Sequence, residues 1–190
     1  MYQTLFNDSS LYRFLLKLDE DLAAQCRNAG CCCGGCLHRA IYPRKPRGNP
    51  PDVEDDCNWR YSFCCAREGC RQRYTPPSFR FLGRKVFMGT VVVLISAMRH
   101  GATPKRMAQL RNLVGVSRRT VERWREWWLN GFVQSPLWKA ARARLRAPID
   151  QNALPLSLLN SFPDQCEKER LIGFLRFILP LTAPRLVQGV

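Results

Sequence analysis

Apolar residues recur every three or four positions near the start of the chain, and this spacing predicts an amphipathic helix over residues 9–26. Asp8 or Ser9 can cap its first turn, because a short polar side chain accepts hydrogen bonds from the free backbone amides there. We expect this N-terminal unit, residues 1–30, to pack on the segment that follows. Its predicted apolar face carries Leu11, Phe14, Leu15, Leu18 and Leu22.

Three further helices are predicted in the middle of the chain. Residues 84–99 are apolar enough for a buried helix, although the three valines at 91–93 also suit a strand. Thr103 followed by Pro104 marks the start of a helix that we expect to end near residue 113. The third helix is predicted over residues 118–130, with Gly131 as its C-terminal cap. Residues 79–133 are therefore expected to form a helical domain.

Six prolines divide the C-terminal tail, residues 134–190, into short predicted helices. The apolar residues of the last helix can pack either on the core or on a partner: Leu171, Leu175, Phe177, Ile178 and Leu181. No apolar run in the chain approaches the roughly 20 residues of a membrane span, so we expect no membrane association. The start of the chain also lacks the pattern of a signal peptide, which favours a cytoplasmic protein.

Cysteines are concentrated in residues 31–78, which hold eight of the ten in the chain. Clustered cysteines in an intracellular protein more often bind a metal than form disulfides. The same unit contains a loop rich in Pro, Gly and acidic residues and a strand-like segment over residues 58–63. The predicted fold class is therefore mainly α with a small β zinc ribbon and a helix-turn-helix domain.

A zinc ribbon needs two pairs of thiolates, each at the tip of a hairpin. The first pair comes from Cys31, Cys33 and Cys36, and two pairings stay open: Cys33-x2-Cys36 has the usual spacing, whereas Cys31-x-Cys33 places two glycines after the second ligand. The second pair is Cys65-x4-Cys70. Four thiolates would close the coordination sphere of Zn²⁺, so the predicted site is structural and no catalytic residue is assigned.

The positive charge of the chain is localised. Residues 39–146 carry 23 Lys and Arg against 7 Asp and Glu, a net charge of +16, whereas the rest of the chain has 7 basic and 8 acidic residues. Arginine accounts for 24 of the 30 basic residues, and its planar guanidinium pairs well with phosphate and guanine. A basic region of this kind is typical of proteins that bind nucleic acid.

The run from residue 115 to residue 124 predicts how that region would contact DNA. Gly115 supplies a turn, Ser117 caps a second helix, and apolar residues fall where a helix-turn-helix buries them. The N-terminal residues of such a helix reach base edges in the major groove of double-stranded DNA. The predicted reading residues are Ser117, Arg118, Arg119, Glu122 and Arg123.

Basic residues outside this helix are candidates for further DNA contacts. Arg44, Lys45 and Arg47 lie in an extended segment that can enter the minor groove, with a solvated linker as the alternative. Arg71 and Arg73 flank the second cysteine pair, and they are natural phosphate contacts. Arg80, Arg84 and Lys85 flank the ribbon and the next predicted helix, and we expect them to contact phosphate as well.

Residues 31–130 resemble the N-terminal zinc-ribbon and helix-turn-helix module of bacterial insertion-sequence transposases. The resemblance rests on Cys65-x4-Cys70 followed by Arg71-Gln72-Arg73-Tyr74-Thr75, an apolar helix and the helix-turn-helix. In that family the module binds the terminal repeats of the mobile element. The catalytic domain of the family has no counterpart in the roughly 60 residues that follow, so the resemblance does not imply a nuclease.

These patterns favour a non-catalytic DNA-binding protein, an accessory factor of a transposon that is associated with the bacterial nucleoid. Expected partners are double-stranded DNA and a transposase or integrase, and a homodimer would read two half-sites. Two alternatives stay open: a transcriptional regulator, and an RNA-binding or protein-interaction module built on the ribbon. An enzyme is not expected, because the chain has only two histidines and no paired carboxylates.

Overall fold

The computed structural model describes Leu5 and residues 8–43, 55–82, 87–97, 103–145, 148–162 and 166–183. Within these residues the chain is mainly helical and carries small antiparallel sheets, which confirms that part of the predicted fold class. None of the described helices combines the length and the apolar character that crossing a bilayer requires. The division into four units remains a prediction.

The first helix, α1 (Ser9–Ala29), begins where the sequence predicts and runs three residues further. Asp8 caps it by accepting hydrogen bonds from the backbone amides of Ser10 (2.9 Å) and Leu11 (3.2 Å). Leu11 and Leu15 are buried as expected, but the assignment of Phe14 to the buried face is wrong, because its side chain is 41% exposed. Compared with the predicted apolar face, the buried face of α1 is rotated so that it includes Tyr12 and Asp19.

Five short strands follow. A three-stranded antiparallel sheet has the order β1 (Leu37–Arg39), β4 (Phe63–Cys65), β5 (Arg73–Tyr74), and a separate pair joins β2 (Tyr42–Pro43) to β3 (Trp59–Arg60). The predicted single strand over residues 58–63 is therefore divided between two sheets, and residues 61 and 62 connect them. The antiparallel pairing of β1 with β4 brings the two cysteine-rich turns to the same end of the unit.

Helix α2 (Gly89–Ser96) is buried at all eight positions, so helix is the correct choice over strand. Next come α3 (Pro104–Val114) and α4 (Arg118–Glu126), close to the predicted bounds. The backbone then becomes π-helical over Trp127–Phe132. Gly131 lies inside this segment and is not a cap: a β-carbon there would stand 2.8 Å from Cδ1 of the Trp127 ring.

The tail folds into α5 (Pro136–Ala141), α6 (Leu156–Asn160) and α7 (Glu167–Ile178). Its apolar residues pack on the core of the chain itself: Leu171, Leu175 and Ile178 are buried, and the partly buried Phe177 and Leu181 pack against the same cluster. One apolar cluster thus includes residues of all seven helices, and a smaller apolar cluster lies in the ribbon.

A buried ion pair connects α1 to the cysteine-rich unit. Asp19 of α1 accepts hydrogen bonds from Ser78 Oγ (2.5 Å), the Phe79 amide (2.6 Å) and Arg80 Nε (2.9 Å). Arg80 also donates to the carbonyls of Cys57 (2.7 Å) and Trp59 (2.9 Å). Arg80 is completely buried, so its assignment as a phosphate contact is wrong. Arg84 and Lys85, the other two residues of that group, lie outside the described residues.

Candidate metal centre and candidate nucleic-acid interface

Four cysteine sulfurs meet where the two turns of the ribbon face each other. Cys31 and Cys33 lie between the end of α1 and β1, whereas Cys65 ends β4 and Cys70 precedes β5. Every pair of the four sulfurs lies within 4.8 Å, with 3.6 Å from Cys31 to Cys70 and 3.5 Å from Cys33 to Cys65. This group could hold one metal ion, and it is the only such group among the described residues.

Local turns explain why a one-residue spacing works at the first pair. The Gly34 amide donates to the Cys31 carbonyl (2.8 Å), and the Cys31 amide donates to the Gly35 carbonyl (3.0 Å). A β-carbon on Gly35 would lie 2.8 Å from Cys65 Sγ and 3.3 Å from Cys33 Sγ. Only glycine at position 35 lets the backbone of the first turn approach the sulfurs so closely.

The second turn is shaped by backbone in the left-handed region. Gly69 has φ +81°, and Arg71 has φ +46°, which is uncommon for a residue with a side chain. Between them the Cys70 amide donates to the Arg67 carbonyl at 3.2 Å. The tight turn returns the chain so that the sulfurs of Cys65 and Cys70 face the same point despite four intervening residues.

Hydrogen-bond donors surround the sulfurs. The Tyr74 hydroxyl accepts from the Cys32 amide at 3.2 Å, which leaves its own proton for Cys31 Sγ at 3.3 Å. This hydroxyl and then the Cys33 amide lower the pKa of the Cys31 thiol to about 6. Burial, by contrast, raises the pKa of Cys65 to about 12. A bound cation would deprotonate the remaining thiols, because a metal ion is the largest charge in such a site.

The remaining cysteines lie outside the group of four. Cys36, a candidate in the other pairing, is exposed, so the fold assembles Cys31 with Cys33 and leaves Cys36 in solvent. Cys64 points its thiol at the carbonyls of Cys65 and Arg71, and the sulfur of Cys32 lies 3.2 Å from Gln72 Oε1. Neither therefore competes for the metal position.

Tyr74→Phe is expected to weaken metal binding about tenfold, because partners that orient a ligand typically contribute that much or more to metal affinity. The change removes the hydroxyl that bonds Cys31 Sγ and leaves the ring in place. Competition with a chromophoric chelator measures the affinity. Tyr61→Phe is the matched control, since its hydroxyl bonds Glu20 instead. Equal affinities for the two variants would contradict the role given to Tyr74.

Helices α3 and α4 are joined by a tight turn. Gly115 adopts the left-handed conformation (φ +63°, ψ +22°), and its amide closes α3 by donating to the Arg111 carbonyl at 2.9 Å. Ser117 then caps α4, because its hydroxyl accepts from the Thr120 amide at 3.3 Å. Both capping residues are those that the sequence indicates.

One side of α4 is held against the core. Thr120, Val121 and Trp124 are buried, and the rings of Trp124 and Phe87 pack in a T-shaped arrangement with centroids 4.8 Å apart. Helix α2 lies directly behind α4. All five residues predicted to read DNA are exposed on the rest of this helix and its cap: Ser117, Arg118, Arg119, Glu122 and Arg123.

The other predicted DNA contacts are only partly described. Arg71 and Arg73 are exposed on the ribbon, at the second turn and on β5. On the outer face of the sheet, Arg73 is aligned with Cys64 and His38, which are its neighbours across the strands. The extended segment with Arg44, Lys45 and Arg47 lies outside the described residues.

Sequence reasoning missed two residues of the metal centre. Tyr74 stands within the motif quoted for the family resemblance, but nothing in the sequence indicates that its hydroxyl reaches a sulfur 43 positions away. The sequence indicates Gly35 only as part of a turn, whereas its close approach to the sulfurs depends on how the second turn docks. Both roles arise from contacts between distant segments.

Comparison of the chain with models of protein families, with curated proteins and with solved structures gave no match in any of the three cases.

Proposed function

We propose that this chain is a non-catalytic zinc protein that binds double-stranded DNA, with α4 entering the major groove. The observation that carries the proposal is the exposed N-terminal part of α4, where Arg118, Arg119 and Arg123 project from a helix whose other side is buried. A rigid helix with exposed guanidinium groups near its N-terminus can reach base edges and phosphates together.

Zinc is the metal that the four sulfurs suit best. Thiolate ligands are soft, and four of them are typical of structural Zn²⁺ sites. With every coordination position taken by sulfur, no water could be activated, so the role of the ion is to stabilise the fold. The ribbon buries only a small apolar cluster, and metal binding would supply the free energy of folding that this cluster lacks.

The ribbon would also contribute to DNA affinity. Arg71 and Arg73 are exposed and carry charge on a small rigid sheet, which suits contacts to phosphate. Such contacts give affinity without sequence information, so specificity would come from α4. The biological setting that we favour is that of an accessory factor of a mobile element, acting beside a transposase or integrase; a transcriptional regulator would use the same surface.

Replacing both Arg118 and Arg119 by alanine is expected to lower the affinity for a selected duplex by at least tenfold. Each good contact between arginine and guanine contributes about 1–3 kcal/mol of discrimination. The duplex is first selected from a randomised library, and binding is then measured by fluorescence anisotropy over a salt series. Affinity should fall steeply with salt for the wild type and less steeply for the variant.

The control is Arg144→Ala, which removes one positive charge at an exposed position after α5. It should leave the preferred sequence unchanged. Absence of duplex binding at moderate salt would overturn the proposal. Preference for single-stranded RNA, lost in Trp127→Ala but not in Arg118→Ala, would instead favour the interaction-module alternative.

A further inference from the structure

An exposed ion pair lies on the part of α4 that is expected to face DNA. Arg118 Nε donates to Glu122 Oε1 at 2.8 Å, one helical turn away. The two side chains are 67% and 55% exposed, so the pair belongs to the surface and not to the core. A carboxylate at this position is unexpected on a helix that approaches phosphates, because it repels them.

The atoms used in this pair matter. Glu122 engages the Nε–H of Arg118, and this leaves the two terminal nitrogens of the guanidinium free of the carboxylate. Those two nitrogens form the fork that donates to O6 and N7 of guanine in the major groove. Holding Nε fixes the plane of the fork before DNA arrives, which reduces the side-chain freedom lost on binding.

The neighbouring arginines differ in this respect. Arg119 and Arg123 are also exposed on α4, yet the structure gives neither an acidic partner among the described residues. Their side chains keep their freedom and suit phosphate contacts, which tolerate varied geometry. Arg118 is thus distinguished from the others by its acidic partner, not by its charge.

We propose that Arg118 reads a single guanine in the major groove and that Glu122 is the positioning residue that makes this contact specific. The inference rests on the proposed function, because it needs α4 to enter the groove. Beyond that function, it assigns one ligand to Arg118, the O6 and N7 edge of guanine. It also explains why a basic helix carries an acidic residue at position 122.

The test compares base preference with total affinity. Wild-type protein, Arg118→Lys, Glu122→Ala and the matched control Glu126→Ala are each used to select duplexes from a randomised library, and affinities are then measured on the selected site. Glu126 lies on the same helix and is paired with Asn130 instead of an arginine. The same site is also prepared with 7-deazaguanine, which lacks the N7 acceptor, at the guanine in question.

The wild type should prefer guanine at one position by about tenfold or more, and 7-deazaguanine should remove most of that preference. Arg118→Lys should abolish the preference while keeping the salt dependence. Glu122→Ala should reduce it severalfold and leave the affinity for random duplex equal or higher, since a repulsive charge is gone. Glu126→Ala should behave as the wild type.

Two results with intact duplex binding would overturn the inference. One is a guanine preference that Glu122→Ala leaves unchanged. The other is a cytosine preference that is lost in Glu122→Ala and kept in Arg118→Lys, because glutamate would then accept directly from cytosine N4. A chain that binds no duplex at all would instead show that the proposed function itself is wrong.

Discussion

Cys65→Ser is expected to abolish metal binding and to unfold the ribbon. Cys65 is almost completely buried, and its sulfur lies 3.5 Å from Cys33 Sγ within the group of four. Serine replaces a soft thiolate with a hydroxyl that stays protonated and binds zinc poorly. Binding of structural zinc contributes on the order of 10 kcal/mol to the folding of small metal domains, far more than a cluster of five buried residues can replace.

Metal content per chain by mass spectrometry and hydrogen exchange of the amides in residues 31–75 measure the two effects together. The wild type should carry one zinc and Cys65→Ser none, with loss of exchange protection confined to the ribbon. Cys36→Ser is the matched control, because Cys36 is exposed and lies outside the sulfur group. Loss of zinc in Cys36→Ser, or its retention in Cys65→Ser, would show that another set of sulfurs binds the metal.

Asp19→Ala is expected to destabilise the whole chain by about 3–5 kcal/mol, the usual result of removing one partner of a buried ion pair. The change deletes an acceptor of three hydrogen bonds and leaves the guanidinium of Arg80 buried without its counter-charge. Carbonyls of Cys57 and Trp59 would still accept from Arg80, but they carry no full charge. Such a loss is a large part of the stability of a typical domain.

The free energy of unfolding from urea titration, followed by tryptophan fluorescence, measures this effect. Asp21→Ala provides the control, since Asp21 is exposed on the same helix two residues away and an exposed change of this kind should stay within about 0.5 kcal/mol. A similar stability for both variants would mean that the buried pair does not hold α1 to the ribbon.

The sequence by itself determined the features that depend on neighbouring residues. Asp8 and Ser117 cap their helices because a side-chain oxygen needs only the amides two or three residues ahead. Gly115 ends α3 because the left-handed conformation is easiest for glycine. The helical spacing of apolar residues placed α1, Thr103 and Pro104 marked the start of α3, and the cysteine pairs indicated where a metal centre would form.

Only the tertiary structure decided features that depend on segments far apart in sequence. The choice of Cys31 over Cys36 follows from the docking of the first turn on β4, where Gly35 touches two sulfurs. Burial of Arg80 follows from its pairing with Asp19, 61 residues away, and Phe14 faces outward on a helix whose buried face includes Asp19. A charged residue can be buried only when distant partners compensate its lost hydration, and the spacing of residues along the chain does not reveal those partners.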